Sequence, residues 1–177
     1  MNLAFQDLVV DDLRYNVKFL EKKRNLIMDG DFVKLVYSDE SMSINSIFFM
    51  CTLKCKYDDA FFAYETQKIV KRGGETSLVT MFDKCTIWFS PYNPVNQSAI
   101  KKLIGYEQAL LEEYKDQMSC RKTSTSLLKN QLLSGNVRLY RYHGSIQSSL
   151  TTMLVKVSGI WESNEQFGIT YKFIECV

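Results

Sequence analysis

The chain has 177 residues, of which 46% are hydrophobic and 24% are charged. This balance excludes a largely disordered chain, and the length is enough for one domain with a full core. The formal net charge of +2 is too small to indicate nucleic-acid binding by itself. A basic binding surface would therefore require the charges to be sorted onto one face.

The N-terminus lacks a basic segment followed by an apolar run, and no stretch approaches the roughly 20 apolar residues that a membrane helix needs. We therefore expect neither a signal peptide nor a membrane span. The five cysteines are odd in number and irregularly spaced, which favours reduced thiols. Together these features predict an intracellular protein, in the cytoplasm or nucleus.

The first half of the chain predicts an N-terminal arm followed by strands. Residues 1–30 form the arm, and residues 32–37 are apolar enough for a strand. Residues 45–55, 60–68 and 78–90 then predict three consecutive strands, separated by turn residues and a Gly-Gly loop. In the first of these three, alternate apolar residues share one face: Ile47, Phe49, Cys51 and Leu53.

The second half predicts helices and then a hairpin. Apolar residues recur at helical spacing from Ile100 to Met118, with Asn96 or Ser98 as candidate N-caps. A shorter helix over residues 124–133 ends at Gly135, and residues 136–142 predict an additional strand. Residues 153–161 and 167–174 are joined by about five residues, which suits an antiparallel hairpin because a parallel crossover needs a dozen or more.

The order of three strands, a helix near residues 97–133 and two strands is that of an OB-fold. We therefore predict a single α+β domain over residues 1–177. Its core would be a five-stranded antiparallel OB-like barrel, with the helix between strands three and four and the N-terminal arm outside.

Catalysis and metal binding have little support in the sequence. The chain has one histidine, His143, and it lacks the nucleophile elbow, the Walker loop and the dinucleotide fingerprint. Cys51 and Cys55 would lie about 13 Å apart on a strand, too far to share one zinc ion. We therefore predict no enzyme, no cofactor and no metal, with a small hydrolase or nuclease built on His143 as the third alternative.

Basic residues interleaved with aromatics carry the functional prediction. The segment 137–143 places Arg138, Tyr140 and Tyr142 on one face, opposite Val137 and Leu139. Tyrosine rings can stack on unpaired bases and arginines can neutralise phosphates, although cross-strand aromatic packing on a solvated face gives the same pattern. In an OB barrel the binding surface would comprise Lys54, Lys56, Tyr64, Lys68, Lys71, Arg72, Trp88, Arg138, Tyr140, Arg141 and Tyr142.

Trp161 is not assigned to this surface because it shares the alternation of Met153, Val155 and Val157, which is compatible with the core.

The segment 157–162 followed by 168–174 resembles the C-terminal hairpin of small single-stranded-DNA-binding proteins of DNA viruses and virus-like elements. The resemblance covers about 20 residues and implies an OB-type barrel that coats single strands during replication. The chain departs from bacterial single-strand-binding proteins, because it ends in a strand-like segment, 172–177, without an acidic tail. Recruitment of partners through such a tail is therefore not expected.

The sequence thus predicts a non-catalytic protein that binds single-stranded nucleic acid, DNA rather than RNA, with little sequence preference. The long helix could close the end of the barrel or pair with its copy in a homo-oligomer. The alternative is a viral accessory or structural protein whose aromatic residues bind another protein.

Overall fold

The computed structural model of the chain describes residues 10–57, 82–142 and 149–176. The described part contains three helices, α1 Val10–Asn16, α2 Pro94–Gln117 and α3 Leu127–Ser134. Its strands are β1 Val17–Phe19, β2 Lys23–Asn25, β3 Gly30–Ser38, β4 Ser43–Asn45, β5 Ile47–Lys54, β6 Lys56–Tyr57, β7 Phe82–Trp88, β8 Thr123–Ser124, β9 Asn136–Tyr142, β10 Leu150–Glu162 and β11 Gln166–Glu175.

The strands form one mixed sheet in which β10 is the central element. The main path runs β1-β3-β10-β11-β9-β7-β6, and β2, β4, β5 and β8 pair beside it. Strand β10 is 13 residues long, and one of its edges pairs with β11. Its other edge pairs first with β5 and then, beyond Val157, with β3. Only β11 has parallel partners, β8 and β9, among the pairings of the described strands.

The predicted five-stranded OB-like barrel is wrong, because the strands form a larger sheet that does not close. The great length of β10 lets two strands share one of its edges, so the sheet extends through β3 to β1. Residues 10–30, predicted as part of an arm, supply α1, β1 and β2. The strand predicted as additional, β9, lies inside the sheet between β11 and β7. The strand predicted over residues 60–68 lies outside the described residues.

The final hairpin is confirmed as a pair of antiparallel strands in one sheet. Strand β10 pairs with β11 from Met153 opposite Glu175 to Glu162 opposite Phe167. The connection is tight, since the backbone N–H of Ser163 donates to the carbonyl of Gln166 at 2.8 Å.

The predicted helical region contains two helices separated by β8. Helix α2 begins earlier than predicted: Asn93 is its N-cap, with the side chain accepting from the N–H of Val95, and Pro94 occupies the first turn. Asn96 and Ser98 are therefore not caps. Helix α3 ends as predicted at Gly135, which has a φ of 79°.

A β-bulge in β10 reverses which residues face the core. Val157 lies opposite Tyr171 and Gly159 lies opposite Thr170, so Ser158 is one residue too many. Beyond the bulge Ile160 is buried and Trp161 turns to the other face. The interpretation that Trp161 shares the face of Val157 is therefore wrong.

The helices cover one face of the sheet. Tyr106 of α2 stacks on Phe49 of β5, with ring centroids 4.3 Å apart, and Tyr114 contacts Phe167 of β11 at 5.2 Å. The inward positions of β5, β9, β10 and β11 join α1, α2 and α3 in one continuous hydrophobic core. The alternate positions point away from the helices and form the outward face of the sheet.

All five cysteines are free thiols, and Cys51, Cys55 and Cys85 are buried. Burial raises the pKa of Cys51 to about 12, so this thiol stays protonated and packs as a small apolar group.

Candidate nucleic-acid interface

Positive charges are sorted onto the outward face of the sheet. Six strands each carry one cation at an outward position: β3, β5, β7, β9, β10 and β11. The described parts of these strands place no Asp or Glu at an outward position. We call this surface the cationic face; its members are Lys34, Lys54, Lys84, Arg138, Lys156 and Lys172. Glu162 and Glu175, which belong to two of the same strands, are buried on the helix side.

Two of these cations face each other directly. Lys156 of β10 lies opposite Lys172 of β11 in the antiparallel register. Burial and the charge of Lys156 lower the pKa of Lys172. Like charges directly opposite one another destabilise a sheet, and a bound anion would relieve that repulsion.

Aromatic rings lie among the cations. The ammonium groups of Lys84 and Lys172 each lie 5.4 Å from the ring centroid of Tyr140, within the range of a cation–π interaction. The ammonium group of Lys156 lies 5.6 Å from the ring centroid of Phe48. The face therefore presents positive charge and aromatic surface together, as a single strand with phosphates and unpaired bases requires.

A cleft at one end of the sheet gathers three residues predicted from the sequence. Lys54, Lys56 and Trp88 line a cavity of about 520 Å³, and Lys56 pairs in register with Trp88. The indole of Trp88 is 47% exposed. Asn96 of α2 fixes one wall, because its amide accepts from the N–H of Lys54 at 2.7 Å and donates to the carbonyl oxygens of Lys54 and Ser90.

The alternation predicted for β9 is confirmed where side chains are described. Val137 and Leu139 are buried, Arg138 is exposed and Tyr140 is partly exposed. Arg141 and Tyr142 end this strand, but their side chains lie outside the described part. Tyr64, Lys68, Lys71 and Arg72 lie wholly outside the described residues, as does His143.

Sequence reasoning missed five members of the interface, Lys34, Phe48, Lys84, Lys156 and Lys172. Each lies in a predicted strand, and period-two alternation alone places each opposite the core residues. The missing information was the pairing of the strands, because only the register brings Lys156 beside Lys172 and Lys84 beside Tyr140.

A buried carboxylate fixes the end of β10 behind this face. Glu162 accepts from the Tyr114 hydroxyl at 2.5 Å and from Lys22 at 2.8 Å, and it forms an ion pair with Lys122. Burial by itself raises the pKa of Glu162, but the hydrogen bonds from Lys122, Lys22 and Tyr114 outweigh it and lower the pKa to about 2. The carboxylate is thus ionised and fully engaged.

The described residues contain no group of three or more His, Cys, Asp or Glu side chains placed to hold a metal ion. None of the described helices has the length and apolar character needed to cross a membrane.

No protein family, curated protein or solved structure matches the chain. The resemblance of the final hairpin to viral single-stranded-DNA-binding proteins therefore stays a prediction.

Proposed function

We propose that the protein binds single-stranded nucleic acid on the cationic face, with little sequence preference and without catalysis. The observation that carries this proposal is the sorting of charge: a chain of net charge +2 places six cations on one face of its sheet. The resemblance of the final hairpin favours DNA as the ligand. The corresponding role is replication or strand protection in the cytoplasm or nucleus, that of a host cell if the chain is viral.

Single strands suit this surface because the cations and the rings serve different parts of the ligand. Lys156, Lys172 and Arg138 lie on three adjacent strands and can neutralise successive phosphates. Aromatic rings accept any base on their faces, since every base has a π-surface. Neither interaction reads base edges, so the expected binding is tolerant of sequence.

Fluorescence anisotropy with a labelled single strand across a salt series tests this proposal. Each cation that contacts a phosphate contributes about one unit to the salt slope, so Arg138→Ala and Lys172→Ala should each weaken binding and flatten the slope by up to about one unit. The effect should be the same for all sequences.

Lys101→Ala is the matched control, because Lys101 is an exposed lysine of α2 on the helix side of the molecule. It removes the same charge and should leave affinity and salt slope unchanged. Equal losses in Lys101→Ala and Lys172→Ala would place the contact elsewhere and contradict the cationic face as the binding surface.

A second candidate function is protein–protein interaction, and one observation favours it. The turn between β2 and β3 exposes three apolar side chains, Leu26 at 89%, Ile27 at 96% and Met28 at 70%. If the wild-type protein ignores single strands even at low salt, this alternative replaces the first, with the turn as its contact surface.

A further inference from the structure

A groove lined by aromatic and aliphatic side chains lies at one end of the sheet, between the β2–β3 turn and the tip of the β10–β11 hairpin. Its lining combines the outward side chains Phe32 and Trp161 with helix-side residues such as Leu127 of α3 and Tyr171. The groove has a volume of about 710 Å³, within the range of small-molecule sites. We call it the aromatic groove; its apolar lining is Met28, Phe32, Leu127, Trp161, Ile169 and Tyr171.

Two glycines let aromatic rings lie against the sheet in this groove. Beneath the indole of Trp161, a Cβ on Gly168 would come within 2.8–2.9 Å of three ring atoms. A Cβ on Gly159 would likewise be 2.8 Å from Cζ of Phe32. Trp161 and Phe32 are cross-strand neighbours in register, and both side chains border the groove. We call these two side chains the platform.

The charges around the groove suit a base inside it and a phosphate outside it. Asp31 lines the groove and forms a long ion pair with Arg24 at 3.9 Å, so its partly compensated carboxylate disfavours a phosphate inside the groove. Lys34 follows Phe32 by two residues on the same outward face and is exposed. A nucleotide with its base on the platform can therefore place a phosphate near Lys34.

The groove is continuous with the cationic face. Gly168, beneath Trp161, is four residues from Lys172 on β11, a separation of about 13 Å along the strand. One extended strand of nucleic acid can thus reach both places.

We propose that the aromatic groove binds an unpaired nucleobase and thereby selects single strands over duplexes. This inference depends on the proposed function, since the same strand occupies the cationic face. Bases in a duplex are paired and stacked, so a duplex would have to expose a base before it could occupy the groove.

Anisotropy with three ligands of equal length tests the proposal: an oligothymidine strand, an abasic strand with the same phosphates, and a duplex. One base stacked on an aromatic ring is worth roughly 5- to 150-fold in affinity, so wild type should prefer the thymidine strand to the abasic strand by at least 5-fold. Trp161→Ala should reduce this preference at least 5-fold, to what stacking on Tyr140 and Phe48 contributes, and leave the abasic affinity and its salt slope unchanged. The preference for single strand over duplex should fall in parallel.

Tyr15→Ala is the matched control, because Tyr15 is an aromatic residue of α1 with 83% exposure on the helix side. A second readout does not require Trp161→Ala to fold. In the variant Trp88→Phe, Trp161 is the only tryptophan left in the chain. The thymidine strand should quench its fluorescence, and the abasic strand should not.

The outcomes separate the groove from the cationic face. Equal affinity of wild type for the thymidine and abasic strands, with unquenched Trp161, would overturn the groove while the proposed function stands. Equal weakening of both strands by Trp161→Ala would give Trp161 a structural role and would also overturn it. Absence of all strand binding at low salt would remove the proposed function and this inference together.

Discussion

Glu162 is a buried carboxylate whose partners come from distant parts of the chain. Tyr114 lies in α2, Lys22 precedes β2 and Lys122 precedes β8. Lys122 also donates to the carbonyl of Ser163, in the turn of the final hairpin. The ion pairs and hydrogen bonds of one side chain thus hold the rim of the aromatic groove in place.

Replacing Glu162 should destabilise the fold in a pH-dependent way. Glu162→Gln removes charge-assisted hydrogen bonds and should cost about 2–3 kcal/mol in the free energy of unfolding at pH 7. The pKa of Glu162 is about 2 in the fold against 4.5 in the unfolded chain. Because the folded pKa is depressed, the stabilisation is present above about pH 4.5 and is lost as the pH falls toward 2.

Urea unfolding of wild type and Glu162→Gln at several pH values measures this difference. Glu112→Gln is the control, because Glu112 forms an ion pair with Arg14 that is about half exposed, and it should cost less than 1 kcal/mol. A wild-type advantage over Glu162→Gln that stays constant down to pH 3 would show that the carboxylate is not held ionised by its partners.

Trp161 shows why residue orientation in β10 was not predictable from the chain. Strict alternation assigns it to the face of Val157, but the extra residue Ser158 reverses that assignment. The conformation at a bulge depends on the neighbouring strands. Gly159 of β10 approaches β3 so closely that a Cβ on Gly159 would be 2.1 Å from the carbonyl oxygen of Val33. The glycine was visible in the sequence, but the neighbour that requires it was not.

At the scale of elements, local sequence signals correctly predicted the features whose contacts are formed between residues close in sequence. The short link predicted the β10–β11 hairpin, and Gly135 predicted the end of α3, because each depends on residues adjacent in sequence. The barrel prediction failed because it depended on pairings that local signals do not encode. The parallel pairing of β9 with β11 joins segments more than 30 residues apart.

Asn96 was correctly singled out in the sequence, but its predicted role as an N-cap was wrong. It was a candidate cap for α2, but it is fully buried and links the helix to the end of β5 through Lys54 and to Ser90. Its amide thus forms three hydrogen bonds with part-buried backbone groups, which satisfy the polar atoms of a fully buried side chain.

Asn96→Ala should therefore cost about 1–3 kcal/mol in the free energy of unfolding, since it removes the three hydrogen bonds of a fully buried side chain. Thermal and urea unfolding measure the loss. Gln97→Ala on the same helix turn is the control, because Gln97 is exposed, and it should change stability by less than about 0.5 kcal/mol. Similar values for the two variants would argue against Asn96 as the tie between α2 and β5.

At the scale of the whole molecule, the fold separates charges that are mixed along the chain. The exposed surface of α2 carries both signs, with acids such as Glu112 and Asp116 beside lysines such as Lys101, whereas the outward positions of β3, β5, β7, β9, β10 and β11 carry cations without acids in the described residues. The amino-acid composition indicated only that a basic binding surface would require the charges to be sorted onto one face. The residues that achieve it lie on strands from β3 to β11, and only the register of the sheet assembles them.

Cross-linking of a photoreactive thymidine strand, followed by mass spectrometry, tests the central claim that this face binds single strands. We expect cross-links at outward aromatic residues of the sheet, at Tyr140, Phe48 and Trp161, and we expect them to be lost as salt rises. Cross-links concentrated on α1, α2 or α3, or binding that persists unchanged at high salt, would contradict this claim.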